Sequence, residues 1–306
     1  MESFSYRVKS EILDSINSRQ NADACLLGIL YTCKVFSQRE ILFVTENENT
    51  VNFFVKSINK ICDTDNSVVI KVNKKVKASV YILNVKKEYI SVVFNYYKLS
   101  YDFFENNYEK AVLPKKRFIS SLVAGAFLSC GSINDPNKEY HFELVFRDVQ
   151  MCNFFGIVLI DNYGIVPKHT ERKNYEVVYI KESENIEDML TLMGAQNCSL
   201  EIMNIKIFKD IRNKINRAVN CDNANIEKAI KAAERQINDI ELIEKIKGLS
   251  SLTDDLREIA EIRLENPDIN LKELGQAVNP PISRSGANHR FNRIAKIADQ
   301  LRKDIS

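Results

Sequence analysis

The stretch Val123-Ala124-Gly125-Ala126-Phe127-Leu128-Ser129-Cys130-Gly131 decides the fold. It is uncharged and apolar, as the end of a buried helix would be. Ala124 and Gly125 are small, so a second helix can press against them. That second helix is found about a hundred residues earlier, in Leu26–Cys33, where Gly28 matches Gly125 and Cys33 matches Cys130. A faint echo supports the pairing: Val51-Asn52-Phe53-Phe54 stands, likewise, about a hundred residues before Cys152-Asn153-Phe154-Phe155.

Worked outward from these two runs, the chain shows the same order of elements twice. The first copy reads as a helix over Ala24–Lys34 capped by Asp23, a strand Glu40–Thr45, a helix Thr50–Cys62, strands Ser67–Val72 and Ala78–Val85, and a helix Lys87–Leu99. The second reads as a helix Arg117–Cys130, a strand Tyr140–Phe146, a helix from Val149 to about residue 161, strands near Ile165–Lys168 and Tyr175–Ile180, and a helix Ser183–Met193 closed by Gly194. An αββαββα unit used twice implies a pseudo-twofold domain. A short helix at 4–20 precedes it. Residues 200–248 are helical in pattern, with one bend expected at Asn220-Cys221-Asp222-Asn223, where Asn and Asp compete with the helical ladder.

Composition sets outer bounds. The 306 residues suffice for two or three domains, and a net charge of +2 rules out a general polycation, so nucleic-acid binding needs a local patch. The seven cysteines form no C-x-x-C pair and read as reduced packing residues. There is no apolar signal segment at the start and no run approaching 18 apolar residues, which points to a cytoplasmic protein away from membranes.

Three constellations carry chemistry. Cys33 and Cys130 are the matched ends of the two small-residue helices. Hard divalent cations want oxygen ligands there, and two thiols alone do not make a zinc site. His141 and Glu143 share a strand face, but no third ligand is evident. The run 203–220 places Lys206, Lys209, Arg212 and Arg217 among few acids, either as a phosphate-tracking stripe or as a solvated face, with Ile205, Phe208, Ile211, Ile215 and Val219 opposite.

The strongest signal lies at the C-terminal end. A helix starts at Thr253 and stops at Pro267. A short helix Leu271–Val278 contains Gly275 and ends at Asn279-Pro280-Pro281. Ser283 then caps a longer helix, Arg284–Lys303. Helix, short helix, turn, longer helix is the helix-turn-helix plan. From Ser283 to Ser306 there are six Lys or Arg against two acids, a balance of +4 that exceeds that of the whole chain. The opening turns also hold residues that read base edges. Ser283, Arg284, Ser285, Asn288, His289 and Arg290 are therefore candidates for bases or phosphates, and Arg293 and Lys296 for the backbone.

The first motif resembles the LAGLIDADG signature of homing endonucleases, whose helices end in metal-binding carboxylates. Cys33 and Cys130 occupy those acid positions, and Lys34 replaces the Gly that usually closes the first copy. Across nearly its whole length the chain resembles the WhiA family. The match rests on Ser3-Phe4, Val8-Lys9 and Glu11, on Gly125-Ala126-Phe127-Leu128 with Gly131-Ser132-Ile133-Asn134-Asp135-Pro136, and on Arg212-Asn213, Asn216-Arg217 and Asn220-Cys221. It rests most specifically on Leu271-Lys272-Glu273-Leu274-Gly275 followed by Ile282-Ser283-Arg284-Ser285-Gly286-Ala287-Asn288-His289-Arg290.

The resemblance implies an α+β chain: a degenerate LAGLIDADG homing-endonuclease-like domain over 1–199 (repeats at about 20–100 and 117–195), a helical linker at 200–248, and an all-α helix-turn-helix domain at 249–306. It further implies a nucleoid-associated, non-enzymatic regulator of transcription, cell division and chromosome segregation, tied to sporulation in some relatives. Its partner would be double-stranded DNA, with other transcription or division proteins beside it, and no cofactor or metal is expected. The rival expectations are a metal-dependent DNA endonuclease and a protein scaffold that acts on division without DNA.

Overall fold

A computed structural model describes residues 2–74, 79–99 and 112–305. The chain forms two compact units, Met1–Lys209 and Asp210–Ser306.

The first unit opens with α1 (Phe4–Asp14) and then uses one motif twice. The first copy runs α2 (Arg19–Thr32), β1 (Val35–Phe36), β2 (Ile41–Thr45), α3 (Glu48–Cys62), β3 (Val68–Lys74), β4 (Ser79–Val85) and α4 (Lys87–Tyr96). The second runs α5 (Ile119–Cys130), β5 (Gly131–Ile133), β6 (Phe142–Phe146), α6 (Val149–Tyr163), β7 (Lys168–Arg172), β8 (Tyr175–Ile180) and α7 (Ser183–Met193). Each copy folds its four strands into an antiparallel sheet of the same order, β1-β2-β4-β3 and β5-β6-β8-β7. Alternation follows the strand period: Phe142, Leu144 and Phe146 are buried while Glu143 and Val145 are less so.

The copies meet where α2 crosses α5. A Cβ on Gly28 would lie 2.0 Å from the Leu122 carbonyl oxygen, and a Cβ on Gly125 would lie 1.9 Å from that of Cys25. Neither backbone can yield, so each helix needs a hydrogen where other residues carry carbon. The rest of both helices is closely buried, including Leu26, Ile29 and Leu30 on α2 and Leu122, Phe127 and Leu128 on α5.

Several expected boundaries move for local reasons. The opening helix stops at Asp14, because Ser18 caps α2 by accepting from the Asn21 N–H at 3.2 Å. Asp23 is therefore not a cap and lies inside α2, where its carboxylate accepts from the Tyr96 hydroxyl at 2.8 Å. The helix after β2 begins at Glu48, two residues early, since Asn47 accepts from Thr50. Strands β1 and β5 have two and three residues, too few to show a period in sequence. Strand β7 begins at Lys168, where the expected strand was to end. Ala78, expected to open β4, lies outside the described residues.

Helix α8 (Gln196–Lys247) runs 52 residues without the break expected at 220–223. Asn and Asp cost only a few tenths of a kcal/mol in a helix interior, and the run contains no Gly or Pro. Cys198 and Ile202 belong to the core of the first unit, whereas Ile240 and Ile243 belong to that of the second.

The second unit packs α9 (Asp254–Glu265), α10 (Leu271–Ala277) and α11 (Arg284–Ile305) around Leu256, Ile259, Leu274, Val278, Phe291, Ile294 and Leu301.

The seam yields a contrast that chemical denaturation can read. Gly125→Ala is expected to cost about 3 kcal/mol or more, since overpacking falls on backbone. Gly156→Ala, with nothing within 4 Å of the added carbon, should be neutral or stabilise by about 0.5–1 kcal/mol. Equal effects would contradict the backbone contact.

Candidate nucleic-acid interface

Helix α11 starts because Ser283 accepts from the Gly286 N–H at 3.1 Å. Its inner face, Ala287, Phe291, Ile294, Ala298 and Leu301, is buried. The outer face of its first turns carries Arg284, Ser285, Asn288, His289, Asn292 and Lys296, all exposed. Successive residues turn by about 100°, so these six side chains fill one arc of about 140°. Asn292 joins this face although the sequence reading did not single it out. Its position one residue after the inward Phe291, and four after Asn288, is the signal that places it there.

The turn before α11 depends on a close approach. A Cβ on Gly275 would meet the Ile282 carbonyl oxygen at 2.6 Å, and the Ile282 N–H donates to the Gly275 carbonyl at 2.7 Å. Asn270 caps α10 by accepting from Lys272 and Glu273, both at 3.0 Å. Arg263 lies beneath, only 2% exposed. It donates to the carbonyls of Pro267 (3.1 Å) and Ile269 (2.7 Å), and its guanidinium carbon sits 5.4 Å from the centre of the Phe291 ring. Burial lowers its pKa, yet arginine stays charged; the two carbonyls and the ring compensate it in part, while its buried Nε has no hydrogen-bond partner among the described residues.

Two of the expected contact residues are engaged within the unit, Arg290 largely covered and Arg293 still exposed. Arg290 has a side chain 16% exposed, donates to the Asp255 carbonyl at 3.2 Å and lies near the carboxylates of Asp255 (3.9 Å) and Glu258 (4.0 Å). Arg293 is 45% exposed and donates to Asp255 at 3.0 Å. Both tie α11 to the start of α9. The Asp255 carboxyl is held below its usual range, first by the Thr253 hydroxyl and then by the two arginines, against the opposing effect of burial. Helical spacing sets Arg290 about 120° away from Arg284, but its partner lies 35 residues earlier in the chain and is brought to it only by folding.

The expected basic stripe on α8 is partly spent within the fold. Lys206 pairs with Glu184 at 2.9 Å. Lys209 donates to the Pro136 carbonyl at 2.6 Å and stands over the Tyr140 ring. Arg217 donates to the Asn213 carbonyl one turn back, at 3.3 Å, and remains exposed, as does Arg212.

At the ends of α2 and α5 the structure brings Cys33 and Cys130 to one cavity of about 510 Å³, with Thr32, Lys34, Ser129 and Arg147. Burial pushes both thiols up to about 12, so they remain protonated at neutral pH. Cys33 approaches the carbonyls of Leu30 (3.2 Å) and Val35 (3.1 Å). The ammonium of Lys9 donates to the Leu128 carbonyl at 3.2 Å, and burial pushes its pKa down to about 8. Asp148 lines the same cavity, but its carboxylate caps α6 through Gln150 (2.7 Å) and Met151 (3.0 Å). Among the described residues no group of three His, Cys, Asp or Glu could hold a metal ion.

His141 and Glu143 do meet, at 3.1 Å. Arg172 (3.0 Å) and Ser132 (3.1 Å) complete the ring of partners around the Glu143 carboxylate. His169 is paired elsewhere, with Glu176 at 2.6 Å.

Comparison with known proteins gives this geometry a family. Residues 119–212 match the WhiA LAGLIDADG-like domain, and residues 215–298 match the WhiA C-terminal HTH domain. A Clostridium acetobutylicum protein named "Probable cell division protein WhiA" is 38% identical over 99% of both chains. The chain belongs to the WhiA family. A Clostridium perfringens protein of the same name is 37% identical over 98% of both. The crystal structure of full-length WhiA from Thermatoga maritima aligns with a TM-score of 0.58 at 26% identity, over 98% of this chain and 99% of that one. The α+β class, the LAGLIDADG-like first unit and the helix-turn-helix are thus shared with WhiA relatives. Among the described residues no helix is long and apolar enough to cross a membrane.

The inward role of Arg290 has a measurable consequence. Arg290→Ala should lower the stability of the second unit by about 1–2 kcal/mol, visible as a lower thermal midpoint without DNA. An unchanged midpoint together with weaker DNA binding would return Arg290 to the contact surface.

Proposed function

We propose that this WhiA-family chain is a non-catalytic, DNA-binding regulator of cell division, with α11 as its reading helix. One observation carries this reading: a fully packed inner face presents Arg284, Ser285, Asn288, His289, Asn292 and Lys296 together on the outer face. A helix of this build suits the major groove, where Arg pairs with guanine and Asn with adenine through two hydrogen bonds each. Lys296, about two turns beyond Asn288 and more than three beyond Arg284, suits the phosphate backbone. Arg293 is left half-exposed and can add to the positive potential without leaving Asp255. The exposed Arg212 and Arg217 of α8 are the remaining candidates for phosphate contact.

The names of the relatives support a role in cell division. Regulation of transcription and a place on the nucleoid follow from the same reading, with links to chromosome segregation and sporulation carried by the family resemblance. The non-catalytic part rests on Cys33 and Cys130. Two protonated thiols supply neither the charge nor the oxygen ligands that divalent-metal phosphodiester cleavage needs.

The test is binding of the full chain to DNA selected from a random pool, read by fluorescence anisotropy at fixed salt. Asn288→Ala and Arg284→Ala should each weaken binding by about 1–3 kcal/mol and relax the base preference at one position. Lys296→Ala should weaken all sequences alike and reduce the salt slope by about 1. Wild-type affinity in all three variants would remove α11 as the reading helix. Plasmid incubated with the protein and magnesium or manganese should stay intact, and cleavage by the pure chain would favour the nuclease.

A further inference from the structure

Helix α8 carries an apolar stripe that neither core uses. Ile211, Ile215, Val219, Ile226 and Ile230 are each about half exposed, in a stretch where every residue from 210 to 232 is exposed. At about 100° per residue the five side chains fall within an arc of about 100°, as they do on a helix that packs against another helix. Solvent-facing helix surfaces seldom repeat β-branched residues in this way, because these favour helices less than Lys, Glu or Ala.

We propose that this stripe is a self-association surface, on which α8 of a second copy of the chain packs antiparallel.

The spacing of the stripe is its own complement. A twofold axis between residues 220 and 221 sets Ile211 opposite Ile230 of the second copy, and by the same axis Ile215 opposite Ile226. The closed, isologous contact that results is the usual form of a dimer. Charge agrees with this direction. Arg212 and Glu227 lie on the same flank of the stripe, and antiparallel packing brings like flanks together. The two then stand two residues out of register, about 3 Å along the helix, within reach of an ion pair. That pair forms twice, once on each side of the axis. A parallel, in-register pairing would leave Arg212 and Glu227 about 22 Å apart along the helix and form no such pair.

Area sets the strength. Five half-exposed Ile and Val side chains present on the order of 450 Å², the size of a functional patch on a single chain. Two copies would bury about 900 Å² from these residues, below the ~1,200 Å² of a standard stable interface. The dimer is therefore weak and concentration-dependent. Asp222 sits within the stripe, near the axis and opposite Val219, where it limits affinity without blocking approach from water at the edge.

Sedimentation velocity on the full chain between ~1 and ~100 μM tests this, with circular dichroism as a check on folding. The wild type should pass from monomer to dimer across that range. Ile215→Ser with Ile226→Ser should leave it monomeric with unchanged helicity, because both side chains face solvent in the single chain. Arg212→Glu and Glu227→Arg should each weaken the dimer about tenfold, and the two combined should restore it. A wild type that stays monomeric throughout would overturn the proposal, as would a dimer that survives loss of both isoleucines. Failure of the combined charge exchange to restore the dimer would overturn the antiparallel arrangement.

Discussion

The first unit depends on a contact without side chains. Where α2 crosses α5, Gly28 lies against the Leu122 carbonyl and Gly125 against that of Cys25. Each repeat alone would expose a long apolar helix, and the two helices cover one another only because both are bare at the crossing. Burial of α2 and α5, and with it the continuity of one core through both repeats, follows from this approach. So does the meeting of their C-terminal ends at the cavity that holds Cys33 and Cys130. The seam is a packing device first. What chemistry it performs is decided by the residue placed at its end, and here that residue is a protonated thiol.

The second unit solves a different problem. A recognition surface must be polar and charged, yet its helix needs a firm base. The unit divides its arginines between these tasks. Arg263 is buried and pins the α9–α10 connection through two carbonyls and the Phe291 ring. Arg290 and Arg293 moor α11 to Asp255. Arg284 remains at the solvent face with Asn288, His289 and Asn292. The same residue type thus serves structure and recognition within one helix, and its three-dimensional neighbours decide which.

Much of this was legible in sequence, for identifiable reasons. The doubled order of helix, strand, helix, two strands and helix was readable because helix and strand periods alternate clearly and because the two small-residue runs mark corresponding points. Gly28 and Gly125 could be matched because nothing larger fits. Cap residues were less reliable: Asp23 and Ser18 compete for one helix start, and only geometry shows that Ser18 holds it. The two- and three-residue strands β1 and β5 exist through pairing with β2 and β6, which no local pattern records. In α8, amide and acidic residues that terminate many helices were outweighed by the absence of Gly and Pro over 52 residues. At the candidate interface, the cap, inner face and charge of α11 were readable from spacing. The engagement of Arg290 was not, since it depends on a residue brought near by folding.

The central claim is that α11, and not the seam, is where this chain meets DNA. Ultraviolet cross-linking of the full chain to a bound DNA containing 5-bromouracil, followed by mass spectrometry of the attached peptides, tests it directly. Attachment within residues 284–296 is the predicted result. Attachment at the cavity residues Lys34 or Arg147, with none on α11, would contradict the account.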